Sequence, residues 1–452
     1  MRHIYLRWLA ASSLLLATIC ATGATRPRYG GTLRICTSAT LNSLDPGDGP
    51  NSLLRRNLTR LLFDTLVVVD DNGTVQPSLA DSWNSFSGGQ RWQFTLRHGI
   101  TFSDGSPLTS DMAAASLRKA NPAWKVTSQA DVITIELDSA VSDFPAELSL
   151  SRNAIVRRGD KLLGTGPFVV SQWEPQRRLV LTARDDYRDG RMFLDGIELE
   201  MSKPLREQNI AFDLGRADVI EVAPEQARHA AADGRRLMNS SPTELMALLF
   251  ARDSQSEAEQ KLREALALSI DRPLMNRVLL QNDGEATGSL LPEWMTGYGF
   301  VFTAAANQPR AKQLRAEAGQ SRTWTLGYDN DYPLARVVAE RILLNARDTG
   351  LSVQTTQSSS PDIRLVRISL ALANERIELS ELVSALGLSP VRLSNSNSES
   401  VYGAENTFLQ SRRVIPLLHL RYVVGISNNV QDWSVHRDGS WDVQNVWLSG
   451  RQ

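Results

Sequence analysis

Aromatic residues in polar stretches are the side chains of this chain best suited to gripping a small molecule. A loop that holds a solute by burial and stacking uses Trp and Tyr, because each joins a broad apolar face to a polar tip. Trp294 lies in Leu-Pro-Glu-Trp-Met-Thr-Gly-Tyr at 291–298, a loop-like stretch. Tyr402 lies in a Ser- and Asn-rich stretch, 394–406, that reads as a loop. For both, packing into a core or onto the surface is the competing reading. Ser38 and Asn42, in the polar stretch 37–43, add hydrogen-bonding groups.

Other chemistries find weaker support. The five His residues (3, 98, 229, 419 and 436) show no paired metal-ligand spacing. Structural or surface roles are expected for them, and a meeting of His419 and His436 around a metal is a minor alternative. Gly164-Thr165-Gly166 lacks the Gly-Lys-Ser/Thr ending of a phosphate loop, and Pro167 removes a backbone donor, so a turn is expected. No Gly-x-Ser-x-Gly element is present to carry a hydrolase nucleophile. Asp70-Asp71-Asn72-Gly73 starts like a calcium loop but lacks the later ligands, and a hairpin turn is expected. These residues give no pattern for an enzyme, a metal site or a cofactor site, and none is expected.

Any such site must be positioned by a scaffold of ordinary globular composition. The 452 residues are 42% apolar and 22% charged, with a net charge of −1. That length calls for two or three domains. The charge balance gives no electrostatic case for nucleic acid or an anionic membrane surface.

Residues 1–24 read as an export signal. Arg2 and Arg7 precede an apolar run at 9–19, and Ala21-Thr22-Gly23-Ala24 offers small residues for cleavage. The run is too short to span a membrane, which takes about 20 apolar residues. A lipidated Cys normally follows a small residue, whereas Ile19 precedes Cys20, so a soluble product is favoured over a lipid anchor on Cys20. Loss of Arg2 and Arg7 takes the 49 basic residues to 47 against 50 acidic, a net charge of −3. Cys36 is then the only thiol, and an intrachain disulfide is impossible.

Periodicity supplies the elements. Leu33 and Ile35 alternate with polar neighbours as a first strand. Leu54, Leu58, Leu61 and Leu62 share one helical face within 51–66. Trp92, Phe94 and Leu96 mark a half-buried strand, as do Ile133, Ile135 and Leu137. Thr109 caps a helix that starts near Ser110. Ser256 and Glu259 form a capping-box pattern ahead of Leu262, Leu266 and Ile270. Trp324 and Leu326 mark a strand. Leu334, Val337, Val338 and Ile342 share the face of a helix ending at Gly350, before a strand at 351–353. That β-α-β order argues for parallel pairing. The stretch 368–388 reads as a helix, and the apolar runs from Val414 and from Val423 read as strands.

Taken in order, these blocks resemble the family 5 extracellular solute-binding proteins, the oligopeptide, dipeptide and nickel receptors of ABC importers. The resemblance is carried by Phe63-Asp64-Thr65-Leu66, the run Gly-Thr-Val-Gln-Pro-Ser-Leu-Ala-Asp-Ser-Trp at 73–83, and the run from Trp92 to Asp111 through Ser103-Asp104-Gly105. It continues in Gly164-Thr165-Gly166-Pro167-Phe168 with Gln172-Trp173, in Asp185-Asp186-Tyr187, in Leu214-Gly215 with Ala217-Asp218, and in the helix at 261–273. It spans roughly 29–450.

The resemblance implies a two-lobed α/β fold of the periplasmic-binding-protein type (type II, with an extra segment on the first lobe). It implies a signal peptide at 1–24, lobe I with an inserted subdomain at 25–240, lobe II at 241–410, and a return to lobe I at 411–452. It implies a periplasmic or extracellular monomer that captures a small solute, a peptide or similar, by hinge closure and delivers it to an ABC permease of the inner membrane. The loop 37–43 borders the ligand cleft in that family, and a Pro-rich aromatic loop similar to 291–298 follows its Ile-Asp-Arg helix. Two regions are short: Trp124 arrives soon after Leu117-Arg118-Lys119, and 353–395 lacks the Trp-rich segment whose acidic residue pairs with a peptide's amino terminus. No residue at 368–388 is expected to inherit that role. A smaller cleft fits, and so does a degenerate scaffold that acts as a protein-interaction or sensory module.

Overall fold

A computed structural model describes residues 26–370, 374–389, 393 and 397–450. The expected signal segment, with Cys20, lies outside them, as do 371–373 of the expected helix and 394–396 of the expected loop. An 11-stranded sheet runs through both halves of the molecule. In the first half, Thr32–Cys36 lies parallel to Gly196–Glu200 and Val219–Glu221, with Arg178–Ala183 and Phe168–Glu174 added antiparallel at the edge. In the second, Thr323–Gly327 lies parallel to Ser352–Thr355 and Ile363–Ser369. The helix Pro333–Asp348 connects the first two of these strands, which is the β-α-β unit expected.

Two long antiparallel strands, Arg236–Phe250 and Val414–Ile426, join the halves. The second pairs with Val219–Glu221 and the first with Ile363–Ser369. Their ladder shifts register between Asn239 and Pro242 and again between Pro242 and Glu244. Pro242 has no N–H to give the ladder, so the break falls where the strands pass from one lobe to the other. The apolar runs from Val414 and Val423 thus form one strand rather than two.

Each half has its own core. Leu33, Ile35, Leu54, Leu58, Phe168 and Ile197 pack in the first. Phe250, Leu266, Trp324, Leu326, Val338 and Ile342 pack in the second. Val337, expected on the buried face of Pro333–Asp348, is 43% exposed, and Ala335, Ala339 and Ala346 are buried instead. Small side chains let that helix lie close to the sheet. The Gly-Thr-Gly turn also serves packing. A Cβ on Gly164 would lie 1.9 Å from the Leu62 carbonyl oxygen, and one on Gly166 2.6 Å from the Leu62 carbonyl carbon. Only glycine lets the turn lie against the end of the helix Leu53–Leu62.

A subdomain inserted in the first half has a four-stranded sheet, Ala80–Phe86, Arg91–Leu96, Val132–Glu136 and Lys125–Gln129 in spatial order. Trp92, Phe94, Ile133, Ile135 and Phe144 fill its core. Thr109 accepts from the Met112 N–H and caps the helix Ser110–Ala120, as expected. Asp70-Asp71-Asn72-Gly73 turns the hairpin Val67–Val69/Val75–Pro77, with Asp70 Oδ1 accepting from the Asn72 and Thr74 N–H groups.

Two expectations are corrected. The stretch 368–388 is the end of the strand Ile363–Ser369 followed by the helix Glu375–Ala385. Ile368 pairs with Leu245 of the crossing strand, so non-local pairing overrides the local pattern there. Ser398–Gln410, which takes in 398–406 of the expected loop, is a helix. Asn397 caps it by accepting from the Ser400 N–H, and Val401, Ala404 and Phe408 bury one face, so its Ser and Asn content reflects a cap and a solvated face.

Candidate functional site

In open α/β sheets a ligand sits beyond the carboxyl ends of parallel strands. Here those ends face each other from the two halves. Beyond Thr32–Cys36, the Ser38 N–H and hydroxyl both donate to Glu221 Oε2, at 2.8 and 2.6 Å, and Thr37 Oγ1 donates to Glu221 Oε1 at 2.6 Å. Gln208 Nε2 adds a donor to Glu221 Oε2 at 3.0 Å. The carboxylate at the end of Val219–Glu221 thus fixes the first loop rather than standing open.

Arg367, near the end of Ile363–Ser369, answers from the second half. Its Nε lies 3.4 Å from Glu244 Oε2 on the crossing strand, and its guanidinium lies 4.0 Å from the centre of the Tyr332 ring. Burial works against its charge, but Glu244, Tyr332 and, from the first half, Glu221 outweigh it and hold the pKa above the ordinary arginine value. Arg367 in turn draws down the pKa of Glu225, although burial leaves that carboxyl above its ordinary range. The Arg367 side chain nonetheless keeps 41% of its surface open to solvent. Charges from both halves around an accessible guanidinium describe a gap, not a core.

Trp294 lines a cavity of about 260 Å³. Its walls come from four places: Arg60 of the helix Leu53–Leu62, the hairpin at 69–73, Trp294 and Met295 with Asn374 and Glu375, and Arg437 with Asp438. Trp294 sits on the one-turn helix Glu293–Thr296, and its Nε1 donates to the Pro242 carbonyl at the register shift, 3.1 Å away. The Arg437 guanidinium lies 6.0 Å from the Trp294 ring centre, while its backbone N–H donates to Asp71 at 3.0 Å.

Next to this cavity the two halves are tied together. Arg376 Nε donates to both oxygens of Asp143, and Asn374 Nδ2 donates to the same carboxylate. Arg152 bridges Glu147 at 3.0 Å and Glu381 at 2.8 Å. Ile377 is buried against Ala146 and Leu150 between the two ion-paired groups. The helix Glu375–Ala385 therefore docks on the inserted subdomain by charge and by apolar contact.

The four residues singled out by sequence do not share one cavity. Trp294 lines the one just described. Ser38 is engaged by Glu221, and Asn42 is exposed farther along the same loop. Tyr402, on the helix Ser398–Gln410, meets the Tyr298 ring edge-on at 5.4 Å and lies 5.3 Å from the Phe302 ring. Arg367, Glu221, Glu375 and Arg437 were not singled out. Glu221 and Arg367 stand at strand ends, which is a readable cue; Glu375 and Arg437 meet only in space.

A larger hollow of about 410 Å³ against Cys36 is lined solely by 34–36 and 198–216, all within the first half. Burial pushes the Cys36 thiol up to about 11, so it is an inert packing group. Of the histidines, His98, His229 and His436 lie near single carboxylates, and His419 is buried with Nε2 3.0 Å from the Leu290 carbonyl. Among the described residues no three His, Cys, Asp or Glu side chains are placed to hold a metal ion.

A family model described as bacterial extracellular solute-binding proteins, family 5 Middle, matches residues 74–366. Curated relatives include the probable deoxycholate-binding periplasmic protein YgiS of Escherichia coli, 24% identical over 351 residues, covering 65% of this chain and 63% of that protein. The oligopeptide-binding protein AppA of Bacillus subtilis is 22% identical over 342 residues, covering 66% of this chain and 61% of that one. The nickel-binding periplasmic protein of E. coli is 24% identical over 352 residues, covering 67% and 66%. The matches thus span 61–66% of the length of these relatives.

Among solved structures, a dipeptide-binding protein from Pseudoalteromonas sp. SM9913 in complex with Met-Leu is similar with a TM-score of 0.79 and 16% identity, over 93% of this chain and 100% of that one. NikA from Staphylococcus aureus in complex with Ni(L-His)2 gives 0.78 and 15%, over 92% and 100%. AppA in complex with a nonapeptide gives 0.77 and 17%, over 94% and 100%. These likenesses give the fold: two lobes of the periplasmic-binding-protein type.

Proposed function

The chain belongs to the family 5 bacterial extracellular solute-binding proteins, and on that premise we propose that it is the extracytoplasmic solute-binding component of an ABC importer, taking a peptide-type solute. The observation that carries this is Arg367: a guanidinium open to solvent, yet within electrostatic reach of Glu244 and of Glu221 from the facing lobe. A solute entering that gap contacts both lobes at once. It favours the closed form by the difference in its affinity for closed and open states, and a permease in the inner membrane reads the closed form. No bond is made or broken, and no cofactor takes part.

In this reading the export signal at 1–24 is removed and the product works outside the cytoplasm as a monomer. Lobe I comprises 25–240 with its inserted subdomain, lobe II comprises 241–410, and 411–452 returns to lobe I. The test is a thermal-shift screen of peptides, amino acids and nickel chelates, with hits titrated by calorimetry. A one-to-one binder whose affinity falls about tenfold or more on Arg367→Gln supports the reading, that loss being the scale of one charge-assisted bond. A complete absence of binders contradicts it.

A further inference from the structure

The helix Glu375–Ala385 of the second half meets the inserted subdomain of the first through a line of alternating charges. Asn374 caps that helix, its Oδ1 accepting from the Ile377 N–H at 2.8 Å, while its Nδ2 donates to Asp143. Arg376 Nε donates to both oxygens of Asp143, and its Nη2 stands 3.9 Å from Glu147. Glu147 pairs with Arg152 Nη2 at 3.0 Å, and Arg152 Nη1 reaches back across to Glu381 at 2.8 Å. Arg376 and Glu381 thus come from one side, and Asp143, Glu147 and Arg152 from the other. Ile377 is buried with Ala146 and Leu150 in the same contact.

The two stretches that are short in the sequence lie on the two sides of this contact. Trp124, which follows so soon after Lys119, meets the Phe144 ring edge-on at 5.1 Å, and Phe144 opens the one-turn helix Phe144–Glu147 that carries Glu147. The stretch 353–395 supplies the docking helix itself. None of the five charged residues lines the cavity at Trp294, and none is among the charges felt by Arg367. Their part in solute capture therefore runs through the equilibrium between open and closed forms.

The pairs stand between surface and core. Arg152 and Glu381 keep 35% and 29% of their side-chain surface in solvent, and Arg376 and Asp143 keep less. Charges open to this degree are felt by dissolved salt, whose screening length falls from about 30 Å at 0.01 M to about 3 Å at 1 M.

We propose that this contact is an ionic latch. It stabilises the closed form without touching solute, and it makes solute affinity depend on ionic strength, tighter in dilute medium and weaker in salt. The proposal rests on the solute-binding reading above and concerns how that binding is regulated.

The test uses the full mature chain with Arg376→Gln and Glu381→Gln combined, which removes both charges that the docking helix gives to the line. Nitroxides at Arg177→Cys and Lys312→Cys, both exposed positions, report the distance between lobes by pulsed electron spin resonance. Solute-free protein is measured at about 0.01 M and about 1 M salt. The parent distribution should move to longer distances in salt, whereas the variant's should be long in dilute buffer and stay there. Calorimetry with the best-binding solute of the thermal-shift screen follows. Parent affinity should fall about tenfold between the two salts, roughly threefold for each of two pairs. The variant should bind about tenfold more weakly in dilute buffer, with little further loss in salt. A charge on the solute itself changes both series alike, so the difference between parent and variant isolates the latch. Ile377→Ala, which trims the apolar contact, should weaken binding but keep the parent's salt slope. Melting curves report folding independently, and Glu381→Gln alone should show a smaller change in the same direction if the double variant fails to fold. A solute-free parent distribution that ignores salt, or equal salt slopes in parent and variant, overturns the latch and leaves a solute receptor in place. A failure of every screened solute to bind overturns the receptor reading and the affinity claim with it.

Discussion

Arg376, at the start of the helix Glu375–Ala385, donates through Nε to both carboxylate oxygens of Asp143, at 3.0 and 3.1 Å, and so fastens lobe II to the subdomain inserted in lobe I. Both side chains are largely sequestered, at 14% and 20% exposure, so water screens the pair less than it would a surface contact. A bond that joins parts of the two lobes is lost if they separate there. It therefore biases the equilibrium between open and closed forms even before a solute arrives.

Removing that bias should be measurable. Arg376→Gln leaves Asp143 with Asn374 as its neighbour, and a partly buried charged bond of this kind is worth about 1–3 kcal/mol. Small-angle scattering of the solute-free variant should show a larger radius of gyration than the parent. The double variant Arg376→Gln/Asp143→Asn should lose less than the sum of the two single variants, because the partners act as a pair.

The Gly-Thr-Gly turn makes a stability prediction with a built-in control. An added Cβ at Gly164 meets the Leu62 carbonyl oxygen at 1.9 Å, and backbone cannot move aside as a flexible side chain can. Gly164→Ala should therefore lose about 2–4 kcal/mol, read as a fall of several degrees in Tm. Gly403, within the helix Ser398–Gln410, has nothing within 4 Å of its added Cβ. Gly403→Ala should gain about 0.5–1 kcal/mol through helix propensity.

His419 sets an acid limit. It is fully buried, and burial lowers its pKa from 6.5 to about 4, partly opposed by the bond to the Leu290 carbonyl. The unfolded chain thus takes up a proton near pH 6.5 that the folded chain refuses until about pH 4. Its contribution is complete above pH 6.5 and is lost as the pH falls through that window, by about 2 kcal/mol between pH 7 and 5. His419→Gln should flatten that part of the Tm–pH curve. An unchanged slope would show that another group sets it.

Much of the scaffold was legible because its signals are local. Leu33 and Ile35 alternate, Thr109 caps, and Leu334, Val338 and Ile342 repeat at helical spacing, so the strands and helices that carry lobe cores could be placed from pattern alone. Ile368 misled because its partner is Leu245, far away in sequence, and Tyr402 misled because cap and surface residues were read as a loop. Trp294, singled out as an aromatic in a polar stretch, lines a cavity. Glu375 and Arg437 were not, because a carboxylate is marked as unpaired only by what surrounds it in space. The absence of a Trp-rich segment at 353–395 was visible, but its consequence was not: the helix Glu375–Ala385 docks on the inserted subdomain and places Glu375 on the cavity wall.

The central claim is that a solute draws the two lobes together around it. The direct measurement is the distance between nitroxides at Arg177→Cys in lobe I and Lys312→Cys in lobe II, both exposed positions, by pulsed electron spin resonance with and without the best-binding solute of the thermal-shift screen. The account predicts a distance distribution that narrows and shifts to shorter values when solute is added. A solute that binds with full occupancy while the distribution stays unchanged would contradict it.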